Sequence, residues 1–216
     1  ECPTMLYNGF GEHNIQGIGD KHVPLIHNVM NTDDVVAVSD RSTDALDAVF
    51  NTDAGKAHLV DRVGLEPALV DMLVHMGYSA IANALAAITI AKDRGLGHDD
   101  VIVTVATDGS ELYDSEREEY LAHHHANGYD AVAAASDFAR ELEAGDTAQH
   151  LELTEQERRR VFNLGYFTWV EQQGTSFDDF TARGEQSFWD GMRHFIGEWD
   201  EQIREFNART GTRDDD

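Results

Sequence analysis

Asp100-Val101-Ile102-Val103-Thr104-Val105-Ala106, running into Thr107-Asp108-Gly109, is the stretch on which the expected fold turns. Its unbroken β-branched run is the composition of a strand buried on both faces of a parallel sheet. Asp34-Val35-Val36-Ala37-Val38 reads the same way. Between the two runs the apolar residues recur at helical spacing. Ser42-Thr43-Asp44 opens a helix with Ala45, Leu46, Val49 and Phe50 on its apolar side. Leu69, Val70, Leu73 and Val74 mark another across Glu66 to His75, and Ala80 to Asp93 reads as a buried, alanine-rich helix ended by Gly95. Strand, helix, helix, strand predicts a right-handed parallel crossover and an α/β fold.

Beyond Tyr113 the pattern is helical throughout: Glu116 to His125, Asp130 to Ala144, Glu155 to Gln173 and Ser187 to Arg209. This places residues 1–126 in the α/β domain and 127–216 in a helical extension packed on it. Arg213 to Asp216 is expected to fray, and residues 1–34, rich in Gly, Asn and His, read mostly as loop.

The charge balance is extreme, 41 acidic residues against 16 basic ones, a formal −25. Such a surface repels phosphate backbones and anionic lipid, so nucleic acid and membranes are excluded as expected partners. It suits concentrated salt, where the Debye length falls to roughly 3 Å and self-repulsion is screened; a halophilic source is expected. A single cysteine, Cys2, leaves no internal disulfide and fits a reducing cytoplasm. No run approaches the roughly 20 apolar residues of a membrane span, and none reads as a signal peptide. The opening Glu1-Cys2-Pro3 lacks an initiator methionine, which suggests a fragment, a processed chain or a split-gene product.

In an open parallel sheet, ligands bind beyond the carboxyl ends of the strands, where loops and helix N-termini converge. Three segments fit that rule. Thr107-Asp108-Gly109 follows the strongest strand, with Asp108 able to accept a hydrogen bond. Gly77-Tyr78-Ser79 opens the buried helix, where free amides and the dipole favour an anion. Gly17-Ile18-Gly19 lets backbone approach a flat ligand closely. Each segment also has a plainer reading, as turn glycines, a helix cap or a strand-ending turn.

His13-Asn14-Ile15-Gln16-Gly17-Ile18-Gly19, ending in Val23-Pro24, resembles the loop of the cysteine synthase family: a histidine, an isoleucine, Gly-Ile-Gly, then a bulky apolar residue before proline. Gly77 to Asn83 resembles that family's Gly-Ile-Ser-Ser segment, and Val101 to Ser115 its strand with the following Tyr-x-Ser turn. The likeness spans about residues 1–116. It implies a Rossmann-like half-domain of a fold-type II pyridoxal-phosphate enzyme, acting by β-replacement or β-elimination on an amino acid such as an activated serine or cysteine. By the resemblance, pyridoxal 5'-phosphate is the cofactor, with Asp108, or Thr107 in a register one residue away, at the position that faces the pyridine nitrogen. A carboxylate there favours the protonated ring and a stronger electron sink. Gly17, Ile18 and Gly19 would line the wall of the site, with Ser79 behind them.

The family's Schiff-base lysine, its Ser/Thr-Gly-Asn loop and its glycine-rich phosphate loop have no counterpart here, so no catalytic residue is assigned. Lysine occurs only at Lys21, Lys56 and Lys92, and nothing around Lys21 would desolvate and activate it. The first expectation is therefore the C-terminal portion of such an enzyme, completed by a missing N-terminal half or a second subunit, with a homodimer as a further arrangement. The alternative is a non-catalytic subunit or pseudoenzyme that binds another protein through its helical extension. An unrelated α/β nucleotide-binding domain is a third reading, which the missing phosphate loop disfavours. No metal is expected: His123-His124-His125 point in different directions on a helix. The aromatic residues from Phe162 to Trp169, with Phe188, Trp189, Phe195, Trp199 and Phe206, read as packing or interface.

Overall fold

The computed structural model describes residues 2–9, 11–15 and 17–211; Gln16, inside the His13–Gly19 motif, and the Arg213–Asp216 tail expected to fray lie outside them. The chain divides into two compact units, Glu1–Lys21 with Asp33–Leu153, and His22–Thr32 with Thr154–Asp216. Both are mainly helical.

The first unit holds α1 (Thr4–Tyr7), β1 (Asp34–Val36), α2 (Asp40–Asn51), α3 (Asp53–His58), α4 (Pro67–Met72), α5 (Tyr78–Arg94), α6 (Asp114–His124), α7 (Ala131–Phe138) and β2 (His150–Glu152). Two of these helices run on into π-helical turns, α3 into Leu59–Val63 and α7 into Ala139–Glu143. The core joins Leu46, Val49 and Phe50 of α2 to Leu59, Val70, Ile81 and Phe138. The helices form where periodicity and capping agree. Ser39, three residues before the expected cap, accepts from Arg41 N and starts α2, while Thr43 is buried within it. Asp130 accepts from Val132 N and Ala133 N at the head of α7. Gly95, at φ +63°, closes α5 in the left-handed conformation that glycine adopts without strain.

The sheet overturns the expected α/β class. Its only strands among the described residues are β1 and β2, paired antiparallel with Val35 opposite Leu151 and Val36 opposite His150. Asp34 ties the sheet to α5: it accepts from His150 Nε2 at 2.9 Å and from Arg94 Nη2 at 2.7 Å. Burial pushes the Asp34 carboxyl up, but these two bonds together outweigh it and hold it below the ordinary carboxylate range. Among the described residues there is no parallel crossover. Residues 101–107 are not a strand, because no described residue makes a backbone–backbone hydrogen bond to them; β-propensity expresses a fit to neighbouring strands and is unrealised without them. The Rossmann-like half-domain, and with it the likeness to fold-type II pyridoxal-phosphate enzymes, does not survive in a mostly helical chain with one two-stranded antiparallel sheet.

The second unit contains α8 (Glu155–Tyr166), which continues as a π-helix over Phe167–Gln172, then α9 (Phe177–Ala182), α10 (Gln186–Met192) and α11 (Phe195–Thr210). Thr154 and Ser176 cap α8 and α9. Its aromatic centre is Phe162, Tyr166 and Phe180, with the Arg183 guanidinium 5.2 Å and 5.0 Å from the Phe162 and Phe180 ring centroids. Trp169 Nε1 donates to Val23 O at 2.8 Å, and Arg158 Nε to Thr32 O at 2.8 Å, which fastens the early segment 22–32 to this unit. The single helix expected over Ser187 to Arg209 is broken at Arg193–His194. No helix among the described residues is by itself long and apolar enough to cross a membrane.

Candidate functional site

The three segments singled out from sequence meet at the first turn of α5. Gly77 N donates to Asp108 O at 2.9 Å, and a Cβ on Gly77 would lie 2.7 Å from Asp108 Oδ1, so only glycine admits this approach. Gly17 sits against the other side of the turn, where an added Cβ would fall 2.6 Å from Ser79 Oγ. Ile18 packs against the cluster of Ile15, Val38, Tyr78 and Tyr113, in which the two tyrosine rings stack at 4.3 Å. Gly19, at φ +80°, turns the loop.

Both carboxylate oxygens of Asp108 are engaged within the chain. Thr107 Oγ1 donates to Oδ1 at 2.8 Å and Tyr113 Oη to Oδ2 at 2.7 Å. Burial pushes this carboxyl up, yet the bonds from Tyr113 and Thr107 outweigh it and keep it below the ordinary value. The Tyr113 hydroxyl is pushed up to about 12, by burial first and then by its bond to Asp108. Ser79 is fully buried and its hydroxyl has no hydrogen-bond partner among the described residues. The lysines do not complete a cofactor site: Lys21 is exposed, Lys56 lies 3.8 Å from Asp71, and Lys92 donates to Gly145 O at 2.8 Å. This cluster is closed on itself, and the residues present do not fit pyridoxal phosphate.

Two buried ionic networks went unseen in the sequence. Asp47, on the otherwise apolar side of α2, accepts from Ser110 Oγ at 2.5 Å, from Arg117 Nη1 at 2.7 Å and from Asn51 Nδ2 at 2.9 Å. Burial is the largest influence on its carboxyl and pushes it up despite those donors. Asp137, equally buried, gathers Tyr120 Oη at 3.0 Å, His125 Nε2 at 3.1 Å and Arg140 Nη2 at 2.7 Å. His125 thus turns inward, away from exposed His123 and His124. It lies just past the end of α6, inside the helix expected over Glu116 to His125, where a side chain need not follow the helical direction.

A cleft of about 350 Å³ lies between the Glu12–Asn14 loop, α2 and α6. Asp44 there accepts from Asn14 Nδ2 at 2.8 Å and Asp40 Oδ2 from Asn14 N at 3.1 Å. The Asp44 carboxyl is pushed up to about 6: burial dominates, Asn14 and Tyr78 oppose it, and the charges of Asp40 and Glu116 reinforce it. No group of three or more histidine, cysteine or carboxylate side chains among the described residues is placed to hold a metal ion.

The largest departure from ordinary surface chemistry is apolar. On α11, Ile196, Trp199, Ile203 and Phe206 are 53%, 49%, 56% and 64% exposed, and no residue of that helix is buried. Their spacing of three, four and three residues forms one stripe, widened by Phe195, whose ring stacks on Trp199 at 6.1 Å. In the other unit, Val101, Val103 and Val105 are 85%, 89% and 66% exposed.

Comparison with known families, with curated proteins and with solved structures gives no match to this chain.

Proposed function

We propose that this protein is a non-catalytic binding subunit that holds another protein through the helical unit. The supporting observation is the stripe on α11. A soluble helix normally buries its apolar face, and most of its stability comes from doing so. Here Ile196, Trp199, Ile203 and Phe206 form such a face, about half or more exposed, that no described residue buries. The alternating spacing is that of a seam that seats in an apolar groove or against a second helix. Trp199 and Phe206 are the residue types that anchor such contacts. The β-replacement reading rested on a family resemblance whose parallel sheet is absent among the described residues, and it is not carried forward.

The experiment is affinity capture with the full chain, followed by purification of the captured protein and a binding titration. Ile203→Glu with Phe206→Glu should weaken the 1:1 complex by at least a hundredfold while the circular dichroism spectrum stays unchanged. Unaltered affinity in the double variant would remove α11 as the binding surface.

A further inference from the structure

The segment Val101–Thr107 lies on the surface of the first unit without regular secondary structure and almost unbonded. Asn83 Nδ2 of α5 donates to Val105 O at 3.0 Å, which ties the segment to that helix at one point. None of its backbone amides donates to a described residue. All seven residues are exposed, those at odd positions and those at even positions alike. An exposed, uncharged, largely β-branched segment with open amides, and carbonyls open except at Val105, is a template for strand addition.

The charges at its ends select the occupant. Asp99 and Asp100 precede the segment, and Asp108 and Glu111 follow it; Asp99 and Glu111 are exposed. A second copy of this chain would bring acidic ends together whether the strands ran parallel or antiparallel. Like charges opposed across a strand pair are destabilising, so this arrangement disfavours self-pairing. A strand with basic ends meets attraction at both.

We propose that residues 101–107 are a docking strand for an extended segment of a partner protein, uncharged and β-branched at its centre and flanked by lysine or arginine at both ends. The contact is formed by main-chain hydrogen bonds, with specificity from the flanking charges. It is independent of the α11 surface, which belongs to the other unit.

The test uses the full chain at the lowest salt at which circular dichroism shows it folded. The probe is a fluorescein-labelled peptide, Lys-Lys-Val-Thr-Val-Thr-Val-Thr-Val-Lys-Lys, compared with the same peptide carrying Glu for Lys. The lysine peptide should bind at least tenfold tighter than the glutamate peptide and slow hydrogen exchange of amides 101–107 at least tenfold. Val103→Pro removes an amide that bonds no described residue, and should weaken binding at least tenfold. Asp99→Lys with Glu111→Lys should reverse the preference between the peptides, a result that does not depend on the proline variant folding. Equal binding of the two peptides, unprotected amides at saturation, an unaffected folded Val103→Pro variant or an unchanged preference in the charge-swapped variant would each overturn the proposal. So would sedimentation showing a dimer that Val103→Pro dissolves.

Discussion

Ser110 Oγ donates to Asp47 Oδ1 at 2.5 Å, joining the turn that precedes α6 to the centre of α2 across 63 positions of sequence. Arg117 completes the junction by donating through one nitrogen to both partners, at 2.7 Å to Asp47 and 2.9 Å to Ser110, while its other terminal nitrogen holds Asp114. Both Asp47 and Ser110 are buried. The carboxylate therefore depends on these donors to remain charged inside the protein.

Removing Arg117 leaves that charge unpaired. Arg117→Ala should cost about 3 kcal/mol of unfolding free energy, and Ser110→Ala about 1 kcal/mol. Urea denaturation of the two variants checks the order. Equal and negligible losses would show that the network carries no stability.

Asp44 predicts a pH effect of definite sign. Its folded carboxyl is pushed up to about 6, above the roughly 3.9 of a free aspartate. The folded state therefore binds the proton more tightly than the unfolded state. This contribution is fully present below the unfolded value and is lost as pH rises through about 6. Its size is on the order of 1 kcal/mol once partial exposure is allowed for. Asp44→Asn should gain on the wild type progressively between those two values. A stability difference independent of pH would refute the assignment.

Gly17 and Ser79 should be coupled. An alanine Cβ at position 17 would meet Ser79 Oγ at 2.6 Å but the Ser79 Cβ only at 3.5 Å. Gly17→Ala is expected to cost about 1–3 kcal/mol by overpacking. Ser79→Ala removes a buried hydroxyl without a partner among the described residues and should be neutral or stabilising. In the double variant most of the glycine penalty should vanish. Additive losses would mean that the contact does not set the cost.

Salt should stabilise the fold. With a formal charge of −25, self-repulsion is large in dilute buffer and screened in molar KCl. The melting temperature should climb steadily between low and molar KCl. A flat profile would sink the halophilic expectation.

The sequence made some elements plain and hid others for physical reasons. The helix expected over Ala80 to Asp93 is α5 at Tyr78–Arg94, because its apolar character and the Gly95 stop are local signals. The β-propensity of residues 101–107 was equally local, but pairing is not, and among the described residues no strand forms beside them. His150-Leu151-Glu152 has no strand signature; it becomes β2 by lying opposite Asp34-Val35-Val36. Asp47 and Asp137 were hidden because a carboxylate in a helix ordinarily marks a solvated face. The parallel-sheet rule that grouped Gly17, Ser79 and Asp108 fails with the sheet, although Gly17 does lie against Ser79 and Gly77 against Asp108. What was not legible is that Asp108 is occupied by Thr107 and Tyr113.

The pairing of Asp34 with Glu152 governs the order in which the protein can be assembled. During synthesis β1 emerges more than a hundred residues ahead of its partner, so the hairpin-like ladder is absent until most of the chain has left the ribosome. The second unit is discontinuous as well, waiting for residues 154 onward to enclose 22–32. Neither unit can close early. Contacts of such long sequence separation are slow to form, and in the interval the apolar residues of β1 and of the 101–107 segment are open together, which makes the nascent chain a natural client for chaperones.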